Sequence, residues 1–270
     1  MLTIALDGLR KTEDMIRLCV LCIALLPVLA SAQQAVGVEV PRLQIPAHRI
    51  DPPQSYRVLC YHDVRDNVRE SFKVWPEATA VDTRDLTAQL SWLDQNGYHP
   101  VSLQQIIDAR AGKKPLPEKA ILLTFDDGFE SMYTKVFPLL KQFGFPALIA
   151  IVGDWIQTPP DQPVQFGDIK APRKAFVNWD QVREMQASGL IEVASHSHSL
   201  HKGINANPQG NMMPAAITRY YWPQSGQYES DEAYAKRIRD DLSRSANLIE
   251  KETGKRPRAM VWPYGANSQI

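Results

Sequence analysis

From Arg57 onward, apolar residues fall into two kinds of run that alternate along the chain. Val58-Leu59-Cys60-Tyr61, Ala120 to Phe125, Ala147 to Val152, Ile191 to Ala194 and Ala259 to Trp262 are short apolar stretches without a polar face. They read as strands buried on both sides. Between them the apolar positions lie mostly three and four apart, as Leu86-Leu90-Leu93, Leu103-Ile106-Ile107, Val136-Leu139-Leu140-Phe143, Val182-Met185 and Ile238-Leu242-Ile249. Each set makes one stripe of an amphipathic helix. Asn178 stands where it can cap the helix that follows, and Gly144 and Gly189 fall where helices should stop. The alternation predicts an α/β fold, a parallel sheet covered by helices, and both a barrel and an open doubly wound sheet satisfy it. His201 to Ser230 carries neither period, yet it holds Met212, Met213, Tyr220, Tyr221 and Trp222. Such an insertion is expected either to form an ordered loop over a cleft or to pack against the body.

Ahead of this body, Leu18 to Ala30 is a short apolar run with Arg17 before it and Ala30-Ser31-Ala32 at its exit. A positive flank, an apolar stretch of about a dozen residues and a small-residue exit describe a secretory signal peptide, expected over residues 1–32. An uncleaved anchor is the alternative, although a membrane span needs roughly 20 apolar residues. Residues 33–55, rich in Pro and Gln, read as a leader or linker, and the folded domain is expected over 56–270. Cys19 and Cys22 would leave with the signal, so the mature chain would keep Cys60 alone and form no internal disulfide. Neither early cysteine has a lipoprotein signal context. The expectation is an exported, periplasmic protein. After Trp262-Pro263-Tyr264-Gly265 no helix follows to cover the last strand, so the chain reads as a piece of a longer protein.

Composition narrows the function classes. The chain has 30 basic and 30 acidic residues among 270, and 44% of its residues are hydrophobic. A nucleic-acid binder would carry a basic surplus, and a disordered chain would be poor in large apolar residues.

Polar motifs cluster where the predicted strands end, which is where functional groups gather in parallel α/β folds. Thr124-Phe125-Asp126-Asp127-Gly128 sets two carboxylates after one strand, where one can bind a metal and the other act as a base. His196-Ser197-His198-Ser199-Leu200-His201 puts three of the six histidines after another. Imidazoles suit Zn, Co, Ni and Fe(II), and three protein ligands leave a coordination position open. Tyr61-His62-Asp63 and Arg258 to Gly265 end two further strands.

These motifs together resemble those of the NodB-type polysaccharide deacetylases of carbohydrate esterase family four, and most of all the poly-β-1,6-N-acetyl-D-glucosamine N-deacetylases of biofilm systems. Thr124 to Gly128 matches the first motif residue for residue, which implies Asp126 as base and Asp127 as metal ligand. The usual second motif, His-Ser/Thr-x-x-His, would put histidine where Leu200 stands. The biofilm group's His-Ser-x-x-x-His is met by His196 and His201, with His198 left as a rival ligand. Arg258-x-Met260-x-x-Pro263-Tyr264-Gly265 is similar to the third motif, with Met for Phe, and implies that the Tyr264 backbone N–H holds the oxyanion. His62 matches the histidine that serves the biofilm group as general acid. The resemblance further implies a distorted, circularly permuted (β/α)7 barrel, incomplete at its C-terminal end, with a glycoside-hydrolase-like domain beyond it. It also implies a divalent metal (Zn, Co, Ni or Fe), an N-acetylglucosamine polysaccharide as substrate, and outer-membrane exopolysaccharide export machinery as a partner. A peptidoglycan or chitin deacetylase and a non-catalytic polysaccharide-binding module are the competing functions.

Overall fold

Ala120–Phe125 and Ala147–Ile151 are buried at every position, as unbroken apolar runs require. The computed structural model describes residues 55–267 apart from Val74, so the expected signal segment and the leader as far as residue 54 lie outside the described residues. Arg57–Tyr61 pairs in parallel with Ala120–Phe125, from Arg57 opposite Ile121 to Tyr61 opposite Phe125. Ala120–Phe125 pairs with Ala147–Ile151, which runs parallel to Ile191–Ser195 along its whole length. His99–Pro100 adds a short parallel strand beside the start of Ala120–Phe125. The fold is α/β with a parallel central sheet.

Strand alternation sorts the side chains into two layers. Ile121, Leu123, Phe125, Ile149, Ile151 and Val193 pack beneath helices Thr83–Gln95, Phe137–Phe143 and Trp179–Ala187, through Leu86, Leu90, Leu140, Val182 and Met185. Leu122, Leu148, Ala150 and Ala194 point the other way and meet Val101, Ala259 and Val261. Asn178 caps Trp179–Ala187 in a reciprocal capping box with Gln181, as its position in the sequence predicts.

Two segments differ from the sequence pattern. Ala259 to Trp262 forms a single parallel bridge, Met260 to Ser195, in place of a full strand. Pro257 and Pro263 bracket the segment and cannot donate to a ladder, and the Val261 carbonyl is taken by a histidine side chain. The aperiodic segment after His201 is ordered into two antiparallel ribbons, Gly203–Asn205 with Met212–Pro214 and Tyr221–Trp222 with Gln227–Tyr228. Strands of two and three residues are too short to display a period. The segment ends at Ser230, whose side chain caps the long helix Asp231–Thr253.

Because the sheet is parallel, Tyr61, Phe125, Ile151 and Ser195 finish at one rim, and the residues that follow them are collected there.

Candidate active site

Asp127, His196 and His201 meet at this rim with one donor atom each, all within 4.8 Å of one another. Asp127 Oδ1 lies 3.4 Å from His196 Nε2 and 3.1 Å from His201 Nε2. Asp127 reaches this position through a left-handed backbone, φ 74°, followed by Gly128 at φ 73°. Two successive left-handed residues reverse the chain at the strand end, and the second lies against Ile151 and Val177, where a side chain would be crowded.

The His196 ring is fixed from behind by the Val261 carbonyl, 2.8 Å from Nδ1. With Nδ1–H donating to that carbonyl, the Nε2 lone pair faces the cluster, which is how ligand imidazoles are commonly oriented. His201 is held by rings: Trp155 lies 4.7 Å from it and Tyr264 4.5 Å, centroid to centroid. Asp127 Oδ1 is buried with no hydrogen-bond donor. A buried, unpaired carboxylate oxygen facing two imidazole nitrogens suits a divalent cation, so the donor set fits the metal that the sequence implies.

Asp126 stands beside this centre with a different environment. Cys60 donates from Sγ to Asp126 Oδ2 at 3.2 Å, while Oδ1 is buried without a partner. His62 completes a second group, since Cys60, His62 and Asp126 each place a ligand atom within 4.8 Å of the others. The two aspartates are pushed apart electrostatically. Burial raises the Asp126 carboxyl above the ordinary range, and the Asp127 charge adds to this against the pull of His196 and His62. Burial also acts on Asp127, but His201 and His196 outweigh it and hold that carboxyl well below the usual range. Burial lowers the His196 imidazole, yet the Asp127 carboxylate beside it and the charge of Asp126 carry it above its ordinary value as long as no metal is bound. Burial, with the charge of Asp126, pushes the Cys60 thiol far up, so with no metal on its sulfur it is protonated and donates.

His198, the rival ligand, lies apart from both groups. Ser197 has φ 72°, and this turn sends His198 toward Gly153, where a Cβ would collide with its ring. His198 is buried, and neither ring nitrogen has a partner. Arg258 also points elsewhere, in a double hydrogen bond to Glu192 at 2.9 and 3.0 Å. Tyr264 is 53% exposed with φ 59°, its ring over His201.

Three supports were not singled out by the sequence reading. Asp241 accepts the backbone N–H groups of His198 and Ser199 at 2.8 Å each, and the Ser199 hydroxyl as well. Ser245 pairs with Ser195 at 2.7 Å. Both occupy the buried stripe of Asp231–Thr253, alongside Tyr234, Ile238, Leu248 and Ile249, and a polar residue on an apolar stripe is the signal that could have found them. The third, Ser131, donates to Asp63 Oδ1 at 2.7 Å and receives the Val64 N–H, which pins the turn after His62. Asp241→Ala is expected to cost about 1–3 kcal/mol for each buried amide left unpaired. Thermal unfolding should register that loss, and metal affinity should fall with it, because the turn carrying His196 and His201 loosens.

An α/β fold that gathers two carboxylates and three imidazoles at one sheet rim, with a donor set that fits a divalent cation, defines a candidate metal-dependent hydrolase. Residues 113–270 match the sequence profile of the polysaccharide deacetylases, and the chain belongs to that family. It is 41% identical over 219 residues to the poly-β-1,6-N-acetyl-D-glucosamine N-deacetylase of Escherichia coli. That match covers 81% of this chain and 32% of the relative, so the chain spans about a third of the relative's length. Among solved structures, a de-N-acetylase from Aggregatibacter actinomycetemcomitans superposes with TM-score 0.74 at 45% identity, covering 79% of this chain and 81% of that one. The BpsB deacetylase domain of Bordetella bronchiseptica gives TM-score 0.72 at 51% identity, with 81% and 84% covered.

Proposed function

We propose that this protein hydrolyses N-acetyl groups from poly-β-1,6-N-acetyl-D-glucosamine, releasing acetate and leaving glucosamine units. The observation that carries the reading is the juxtaposition of a buried Asp127–His196–His201 donor set with a second carboxylate, Asp126, whose Oδ1 has no partner. The names of the relatives support the choice of polymer.

Asp127, His196 and His201 would hold the divalent metal through the atoms that already converge. Bound there, it supplies Lewis acidity, lowering the pKa of water and polarising an amide carbonyl. Asp126 takes the proton of the attacking water at Oδ1, because Oδ2 is already engaged by Cys60. Burial, which raises the affinity of Asp126 for a proton, suits it to that task. His62, on the same rim, gives a proton to the departing amine nitrogen, without which expulsion of an amide nitrogen is slow. The Tyr264 backbone N–H would stabilise the tetrahedral oxyanion. Export to the periplasm belongs to the same reading and rests on the signal-like character of residues 1–32. So does delivery of the product to an exopolysaccharide export machinery.

The test compares acetate release from β-1,6-linked and β-1,4-linked N-acetylglucosamine oligomers. Release from the β-1,6 series with little from the β-1,4 series is expected. A preference for β-1,4 oligomers would reassign the substrate to chitin or peptidoglycan, and release from neither would leave a binding module.

A further inference from the structure

We propose that Cys60, His62 and Asp126 form a second, inhibitory site for a thiophilic divalent cation. The inhibitory part of this inference rests on the functional reading above, whereas the cation site does not.

The three side chains present a sulfur, a ring nitrogen and a carboxylate oxygen, all within 4.8 Å of one another. Sheet register brings them together. Cys60 pairs with Thr124 across the ladder, so Asp126, two residues on, projects on the same side, as does His62, two residues beyond Cys60. Cys60 Sγ is already 3.2 Å from Asp126 Oδ2, and Asp126 Oδ1 is buried without a partner. A thiol, an imidazole and a carboxylate make a borderline-soft set that selects Zn(II), Co(II) or Cd(II) over Mg(II) and Ca(II). Three protein ligands with an open position suffice for zinc outside purely structural sites.

As the metal–sulfur bond forms, the S–H bond of Cys60 breaks and its proton passes to solvent. No oxidant or reductant takes part. The cation then neutralises the carboxylate that accepts the water's proton and occupies the imidazole that protonates the amine. Excess metal therefore switches off an enzyme that needs metal at the adjacent centre. Oxidised or alkylated Cys60 would not bind it.

The test titrates the metal-free full chain with Co(II). It follows bound metal by equilibrium dialysis and thiolate coordination by the thiolate-to-Co(II) charge-transfer band in the near ultraviolet. Two equivalents are expected, with the band growing on the second. Acetate release from a β-1,6-linked oligomer should peak at one equivalent and fall roughly 10²-fold once the second is bound, the low end of what a general base contributes. The chain also carries Cys19 and Cys22, so Cys60→Ser assigns the band. That variant should lose the band, keep the first equivalent, and show similar activity at one and two equivalents. His62→Ala should weaken the second equivalent likewise. A single bound equivalent, or a second one whose band survives Cys60→Ser, overturns the site. Two equivalents with undiminished acetate release overturn the inhibition. A Cys60-dependent band with no acetate release at any loading establishes the cation site and refutes the deacetylase reading instead.

Discussion

Asp126→Asn should lower acetate release by roughly 10²–10⁴-fold, about 3–5.5 kcal/mol in the barrier, while metal content stays stoichiometric. Asn keeps the volume of the side chain and can still accept from Cys60 Sγ, but it cannot take a proton from water. The neighbouring position should respond differently. Asp127→Asn replaces an anionic ligand, whose Oδ1 lies within 3.4 Å of both imidazoles, with a neutral amide, so metal affinity itself should drop. Elemental analysis alongside acetate release separates the two variants. Loss of metal in Asp126→Asn, with retention in Asp127→Asn, would reverse the assignment.

His201→Ala should strip the centre of its metal, lowering affinity by more than the roughly 10–100-fold typical of losing an outer-shell partner. His198→Ala should leave metal stoichiometry unchanged, because His198 lies against Gly153 and away from Asp127. Chelation should abolish turnover in the parent chain, and Zn(II), Co(II) or Ni(II) added to one equivalent should restore it. Metal content that follows His198, or full turnover in a metal-free preparation, would defeat this account.

The fold class was legible in the sequence because strand and helix periods are local properties. The run Ala120 to Phe125 could bury every residue only as an interior strand of a covered sheet, and it does so. Four of the five apolar runs became sheet strands; the fifth, flanked by Pro257 and Pro263, kept one bridge. The ribbons after His201 escaped notice because their strands are shorter than any period.

The chain by itself determined which residue types stand at the ends of which strands, and a parallel sheet then gathers those ends at one rim. This sufficed to nominate Asp126, Asp127, His62, His196 and His201. It could not decide between His198 and His201, since both lie in one short run. The tertiary structure brings His201, and not His198, beside Asp127 and His196, through the left-handed turn at Ser197 and the grip of Asp241 on the next two amides, an interaction spanning 43 residues of chain. Nor could the sequence tell which Asp126 oxygen is free, because Cys60 reaches it from 66 residues away, or that Arg258 turns to Glu192. Periodicity records what each segment must bury. Where a polar side chain points beyond a strand's end depends on backbone turns and partners that only the folded chain brings within hydrogen-bonding distance.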